Sequence, residues 1–150
     1  MEKTRPNIRH VEVSEIERFI ANVGERPFRV KQIVEWLWQK HAHSFDEMTD
    51  LSKDLRKQLV EHFTFPALQI DVTQQSEDGT LKTRFRTFDD HLIEGVLIPT
   101  SERKTACVSS QIGCSLSCKF CATGTMDRKR NLNFDEIYDQ VVYINQQSEA

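Results

Sequence analysis

The chain has 150 residues, 38% of them hydrophobic and 29% charged, the proportions of a soluble globular protein of ordinary domain size. Its formal net charge of −3 gives no general support to nucleic-acid binding, so any such role must rest on local patches. No apolar run reaches membrane-spanning length, and the opening residues lack the apolar core of a signal peptide, which predicts a cytoplasmic protein with no membrane partner and reduced cysteines.

Residues 13–24 read as a helix. Ser14 and Glu17 have the spacing of a capping box, Ile16, Phe19, Ile20 and Val23 share a face, and Gly24 supplies a stop. Pro27 opens a second helix with Val30, Ile33, Val34 and Leu37 on its apolar stripe. Trp36 and Trp38 cannot both join that stripe. One is expected to pack against a third helix, and an exposed Trp could instead stack on RNA. Ser44–Thr49 reads as a turn. Ser52 caps the third helix, whose buried side is expected at Leu55, Leu59, Val60 and Phe63. Pro66 disfavours helical geometry at Phe65 and ends it. Residues 1–66 therefore form a three-helix unit, a candidate for RNA binding, in which His41 and His43 are expected to be solvated.

The hydrophobic period then changes from about 3.6 to 2. Leu68, Ile70 and Val72 alternate with polar residues, Asp78-Gly79 makes a hairpin turn, and Leu81–Phe88 alternates again. Asp89-Asp90 turns into a strand from His91 to Ile98, stopped by Pro99. Residues 67–104 are thus a three-stranded antiparallel meander. Lys82, Arg84 and Arg86 share one face, which could meet phosphates or be balanced by neighbouring acids. Glu94 is the odd residue. It stands in a strand read as apolar on both sides, where an ionised carboxylate is costly unless paired, so it is either a proton-handling group or a strand-end residue reaching water or an arginine.

Residues 105–150 begin with a strand expected over Thr105–Ile112. Asn133 and Glu136 then cap a helix with Ile137, Val141 and Ile144 on one face. Between strand and helix lie Cys114, Cys118 and Cys121, spaced C-x3-C-x2-C. Four-iron electron carriers use four cysteines, and structural zinc sites want four ligands, commonly from two separated C-x2-C pairs. Three thiolates on one loop would instead ligate three irons of a cubane and leave the fourth open. Lys119, Arg128, Lys129 and Arg130 bring positive charge nearby, for RNA phosphate or as a solvated turn.

The loop, with Phe120 just before its last cysteine, resembles the cluster loop of the radical S-adenosylmethionine (SAM) superfamily. The longer runs Cys107–Cys114 and Cys118–Gly124 resemble those of its methyltransferases that modify adenine carbon-2 in 23S ribosomal RNA and some transfer RNAs. The resemblance implies an α+β chain: the helical unit, the meander, then the first βα unit of a partial (β/α) barrel, with later strands outside the sequence. It implies a [4Fe-4S] cluster on Cys114, Cys118 and Cys121, and SAM bound beside Phe120. One SAM would methylate a cysteine in the missing C-terminal part, and a second, reductively cleaved, would yield the radical that activates this methyl group.

The resemblance also makes Glu94, in its Glu-x-Val-x-Ile-Pro context, the residue that contacts the target adenine and accepts a proton. The implied targets are the peptidyl transferase region of 23S rRNA and the base next to the tRNA anticodon, with an electron donor of flavodoxin or ferredoxin type and a monomeric enzyme. The 150 residues match only the family's N-terminal portion and are expected to be inactive by themselves. Cys107 is expected to pack on the strand beside the loop. Two other readings stand: the related adenine carbon-8 methyltransferases that confer antibiotic resistance, and a non-catalytic RNA-binding or zinc fragment.

Overall fold

The structure, a computed structural model, describes residues 4–150; the sequence expectation for the opening Met1–Lys3 lies outside them. The chain forms two compact units, divided between Pro66 and Ala67.

In the first unit α1 (Val13–Asn22), α2 (Phe28–Trp38) and α3 (Lys53–His62) enclose a core that includes Ile16, Ile20, Ile33, Leu37, Leu55 and Leu59. The 3.6-residue spacing of these apolar side chains puts each set on one helix face, and that face has nowhere to go but inward. α1 begins earlier than the capping box predicts. Glu12 occupies the N-cap with no side-chain hydrogen bond, so Ser14 already lies inside the first turn, where it cannot cap. Ser52 does cap α3, its Oγ accepting from the Leu55 N–H at 3.1 Å. Val60, expected inside, is 45% exposed, because α3 presents Leu55, Leu59 and Phe63 to the core instead. Both tryptophans are half-buried against the core, and Trp36 donates its indole N–H to Asp50 at 2.6 Å. His41 and His43 are half-buried rather than solvated.

The second unit carries a four-stranded antiparallel sheet in the order β1 (Gln69–Gln75), β2 (Leu81–Arg86), β3 (Leu92–Pro99) and β4 (Lys104–Cys107). The meander thus gains a strand. The stretch expected as one strand, Thr105–Ile112, is broken at Ser109 and Ser110: β4 pairs with β3, and a second short strand, β5 (Gln111–Ile112), pairs antiparallel with β6 (Arg130–Asn131). No strand following the cysteine loop pairs in parallel with one before it among the described residues, so these residues form no β-α-β crossover.

α4 (Phe134–Glu149) covers one face of the large sheet. Phe85, Ile93 and Leu97 are buried beneath it, and at Gly95 the helix comes so near that a Cβ would lie 2.9 Å from Ile144 Cδ1. The buried surface of α4 is unusual in being largely polar. Asp135, Glu136, Asp139 and Gln140 are all 4% exposed or less, while Val141, expected inside, is 47% exposed. These polar groups are buried because they have partners: Asp139 accepts from the Leu68 N–H at 3.0 Å, and Gln140 bonds both backbone groups of Ser109. No helix among the described residues is long and apolar enough to cross a membrane.

Candidate active site: the cysteine loop and the sheet beside it

The loop that holds the three clustered cysteines leaves β5 and returns through β6. Its neck is closed by backbone bonds: Cys114 N–H to Met126 C=O at 3.0 Å, Lys129 N–H to Ile112 C=O at 2.8 Å and Leu132 N–H to Ser110 C=O at 2.9 Å. Gly113 sits at the narrowest point with φ +70°, and a Cβ there would meet the Asp127 carbonyl oxygen at 2.0 Å. That position therefore requires glycine on two counts, the left-handed backbone and the close approach.

Within the loop Cys114, Cys118 and Cys121 are free thiols and half-buried. The Leu116 N–H points at Cys114 Sγ at 3.4 Å, and the Cys121 N–H donates to Cys118 C=O at 3.1 Å, which shortens the path between the last two cysteines. The large apolar side chains of the loop turn outward, Phe120 94% exposed and Leu116 77%. No group of three His, Cys, Asp or Glu among the described residues is arranged to hold a metal ion. The donor set nonetheless suits a cubane cluster: three reduced thiols on one short loop, with a backbone N–H directed at one sulfur. Cys107 lies apart from them, on β4 opposite Val96, and is exposed rather than packed.

Glu94 projects from the sheet face that α4 does not cover. Leu92 and Ile98 on that face are 37% and 40% exposed, so the strand is not apolar and buried on both sides as its sequence suggested. The carboxylate is itself exposed and pairs with Lys82 Nζ at 3.2 Å, with Arg84 directly across the strand pair. The rest of this face is equally balanced. Arg84 and Arg86 both bond Asp71, at 2.6 and 3.0 Å, and these two guanidiniums hold the Asp71 carboxyl below its ordinary range. Three cations facing three acids (Asp71, Asp90 and Glu94) leave no surplus charge for phosphate there.

Arg130 is not a solvated basic residue. It lies in β6 with its guanidinium divided between Asp89 (2.8 and 2.7 Å) and Glu136 (2.8 and 2.8 Å), and it stacks on Phe88 at 5.0 Å. Glu136 first, then Asp89, raises the guanidinium's affinity for its proton, and Arg130 in turn holds Asp89 far below the usual carboxylate range. Sequence reasoning missed this group, together with Gln140 and Ser109. The spacing of Glu136 and Gln140, four residues apart after an N-cap, was visible, but buried polar pairs have the same sequence pattern as a wet helix face.

Comparison with known proteins follows the same lines. Residues 6–65 match the family described as the ribosomal RNA large subunit methyltransferase N-terminal domain. The whole chain is similar to proteins named "Probable dual-specificity RNA methyltransferase RlmN": it is 52% identical over 142 residues to that of Cytophaga hutchinsonii, covering 95% of this chain and 39% of the relative. To that of Christiangramia forsetii it is 49% identical over 144 residues, 96% of this chain and 41% of the relative. Among solved structures it matches the crystal structure of a radical SAM methyltransferase from Sphaerobacter thermophilus with a TM-score of 0.79 at 37% identity, over 96% of this chain and 42% of that one. The fold and cysteine loop are thus similar to part of a radical SAM methyltransferase. More narrowly, its first 65 residues hold the match to a methyltransferase N-terminal domain, and nearly all of the chain is similar to part of the proteins named RlmN. It spans about two fifths of the length of the curated relatives it matches.

Proposed function

We propose that the complete protein is a radical SAM methyltransferase that methylates adenine carbon-2 in 23S rRNA and in certain tRNAs, through a methyl-cysteine carried outside the residues described here. The observation that carries this reading is the loop itself: three half-buried, reduced thiols spaced C-x3-C-x2-C, in a chain about half identical to relatives named dual-specificity RNA methyltransferases. Cys114, Cys118 and Cys121 would hold a [4Fe-4S] cluster, with one iron left for SAM, and the exposed Phe120 ring would lie beside the bound SAM. When bound, cluster and SAM supply a carbon-centred radical, a chemistry suited to adenine carbon-2 because that carbon is electrophilic and cannot attack a sulfonium methyl group.

The chain's own residues would do the positioning and the proton handling. Glu94, exposed on the uncovered sheet face, has room to receive a base and to take up a proton from it. Lys82 Nζ, 3.2 Å away, would hold the carboxylate in place until then. The helical unit up to Pro66 would help to grip folded RNA, and the strand–loop–helix order would continue beyond residue 150 as a partial (β/α) barrel. An electron donor of flavodoxin or ferredoxin type and a cytoplasmic, monomeric enzyme complete the reading.

The test uses the full-length protein, reconstituted anaerobically with iron and sulfide and supplied with SAM, a reductant and rRNA or tRNA. Mass spectrometry of the digested RNA against carbon-2 and carbon-8 methyladenosine standards should show the carbon-2 product. A carbon-8 product would overturn the position assigned, and an unmodified RNA with a loaded cluster would overturn the substrate.

A further inference from the structure

The cysteine loop has no core of its own, and its neck is a two-stranded pair of two residues each, too short to be stable unsupported. The two legs are held from α4. Gln140, fully buried, faces the entering leg: its Nε2 donates to the Ser109 carbonyl at 2.9 Å and its Oε1 accepts from the Ser109 N–H at 2.8 Å. One helical turn earlier Glu136, 4% exposed, grips the returning leg by accepting from Nη1 and Nη2 of Arg130, each at 2.8 Å. Residues four apart on a helix lie one above the other, so a single stripe of α4 holds both legs. Ser109 is also tied to the sheet, its Oγ donating to the Glu94 carbonyl at 2.8 Å.

We propose that Glu136 and Gln140 are positioning residues for the three thiols: they set the register and separation of the loop's two legs, and through Ser109 they fix the loop relative to the strand that carries Glu94. The proposal rests on the reading of the loop as a cluster site and deepens it. Restricting the legs lowers the conformational freedom that the loop loses when its sulfurs converge on a metal, and so tightens metal binding. Burying a carboxylate and an amide to hold a surface loop is otherwise a costly arrangement.

Two measurements on the full-length protein decide it. In the metal-free protein, amide hydrogen exchange and alkylation rates of the individual cysteines report on the loop directly. In the protein reconstituted with iron and sulfide, visible absorption follows iron loss to a chelator. Gln140→Leu should speed exchange at Cys114, Lys129 and Leu132 by roughly tenfold or more, with β1–β3 amides unchanged. It should also speed alkylation of Cys114, Cys118 and Cys121 but not of Cys107, and speed iron loss about as much. Gln140→Glu, which keeps the acceptor for the Ser109 N–H but loses the donor, should fall between, as should Glu136→Gln.

Wild-type exchange and alkylation in folded Gln140→Leu would overturn the proposal. Should Gln140→Leu not fold, the two conservative variants carry the comparison, and equal acceleration throughout the unit from Ala67 would overturn it in favour of a general folding role. A wild-type protein that takes up no iron would overturn the cluster reading instead, a failure distinct from unaltered loop exchange.

Discussion

At the scale of single residues the sharpest contrast is between the thiols and Glu94. Cys114, Cys118 and Cys121 share a loop and are half-buried, whereas Cys107 is exposed on β4. Alanine at any of the three should abolish cluster assembly, and Cys107→Ala should leave iron content near wild type, measured by iron and sulfide analysis after reconstitution. Equal loss from all four would point to a four-cysteine site. For Glu94 the structure makes the decisive variant clean. An exposed ion pair such as Glu94–Lys82 contributes about 0–1 kcal/mol, so Glu94→Gln should unfold at nearly the wild-type temperature. If Glu94 handles a proton, RNA methylation by the complete enzyme should nevertheless fall by roughly a hundredfold or more, with cluster content intact. Normal turnover by that variant would remove Glu94 from the mechanism.

Between elements, the close seat of α4 on the sheet and the Arg130 cluster carry the second unit. Gly95→Ala would place a Cβ 2.9 Å from Ile144 Cδ1 and 3.1 Å from Phe85 Cε2, forcing helix and sheet apart. Overpacking of this kind costs about 1–3 kcal/mol, visible as a lowered unfolding temperature. Ile144→Val in the same chain should restore part of the loss, because it removes the atom that clashes. The Asp89–Arg130 pair predicts an acid limit. Arg130 depresses the folded pKa of Asp89 below the unfolded value of about 3.9, so the pair's stabilisation is fully present above that pH and is lost as pH falls below it. Denaturant titrations between neutral pH and about pH 3 should show that loss, and in Asp89→Asn the pH dependence should be shallower. An unchanged slope would mean that Asp89 titrates normally.

At the scale of the whole molecule, charge decides where RNA could be held. The chain is net negative, and the sheet face that looked basic is neutralised residue by residue. The helical unit offers a different surface, with Lys53 and Lys57 exposed beside Arg56 on α3. If that unit grips RNA there, Lys53→Ala with Lys57→Ala should weaken binding without regard to sequence and make the salt dependence shallower by roughly 1.4–1.8 in log–log slope. An unaltered slope would exclude this face. The corresponding double change at Arg84 and Arg86 should have little effect on the slope, since both side chains already face Asp71.

How much of this was legible in the amino-acid sequence depended on whether a feature is local. The three helices, the change to a two-residue period, the Ser52 and Asn133 caps and the cysteine spacing depend on neighbours within a few positions, and the sequence alone determined them. The surroundings of Glu94, the break at Ser109, the extra strand β4 and the polar underside of α4 were decided by the tertiary structure. Three of these depend on distant partners, Lys82 for Glu94, Gln140 for Ser109 and Leu68 for Asp139, the last 71 positions away, while β4 pairs with the strand just before it. A buried Gln or Glu has the same letters as a solvated one. Whether it faces water or holds a loop is set by which segment the fold brings against it, and no periodicity records that.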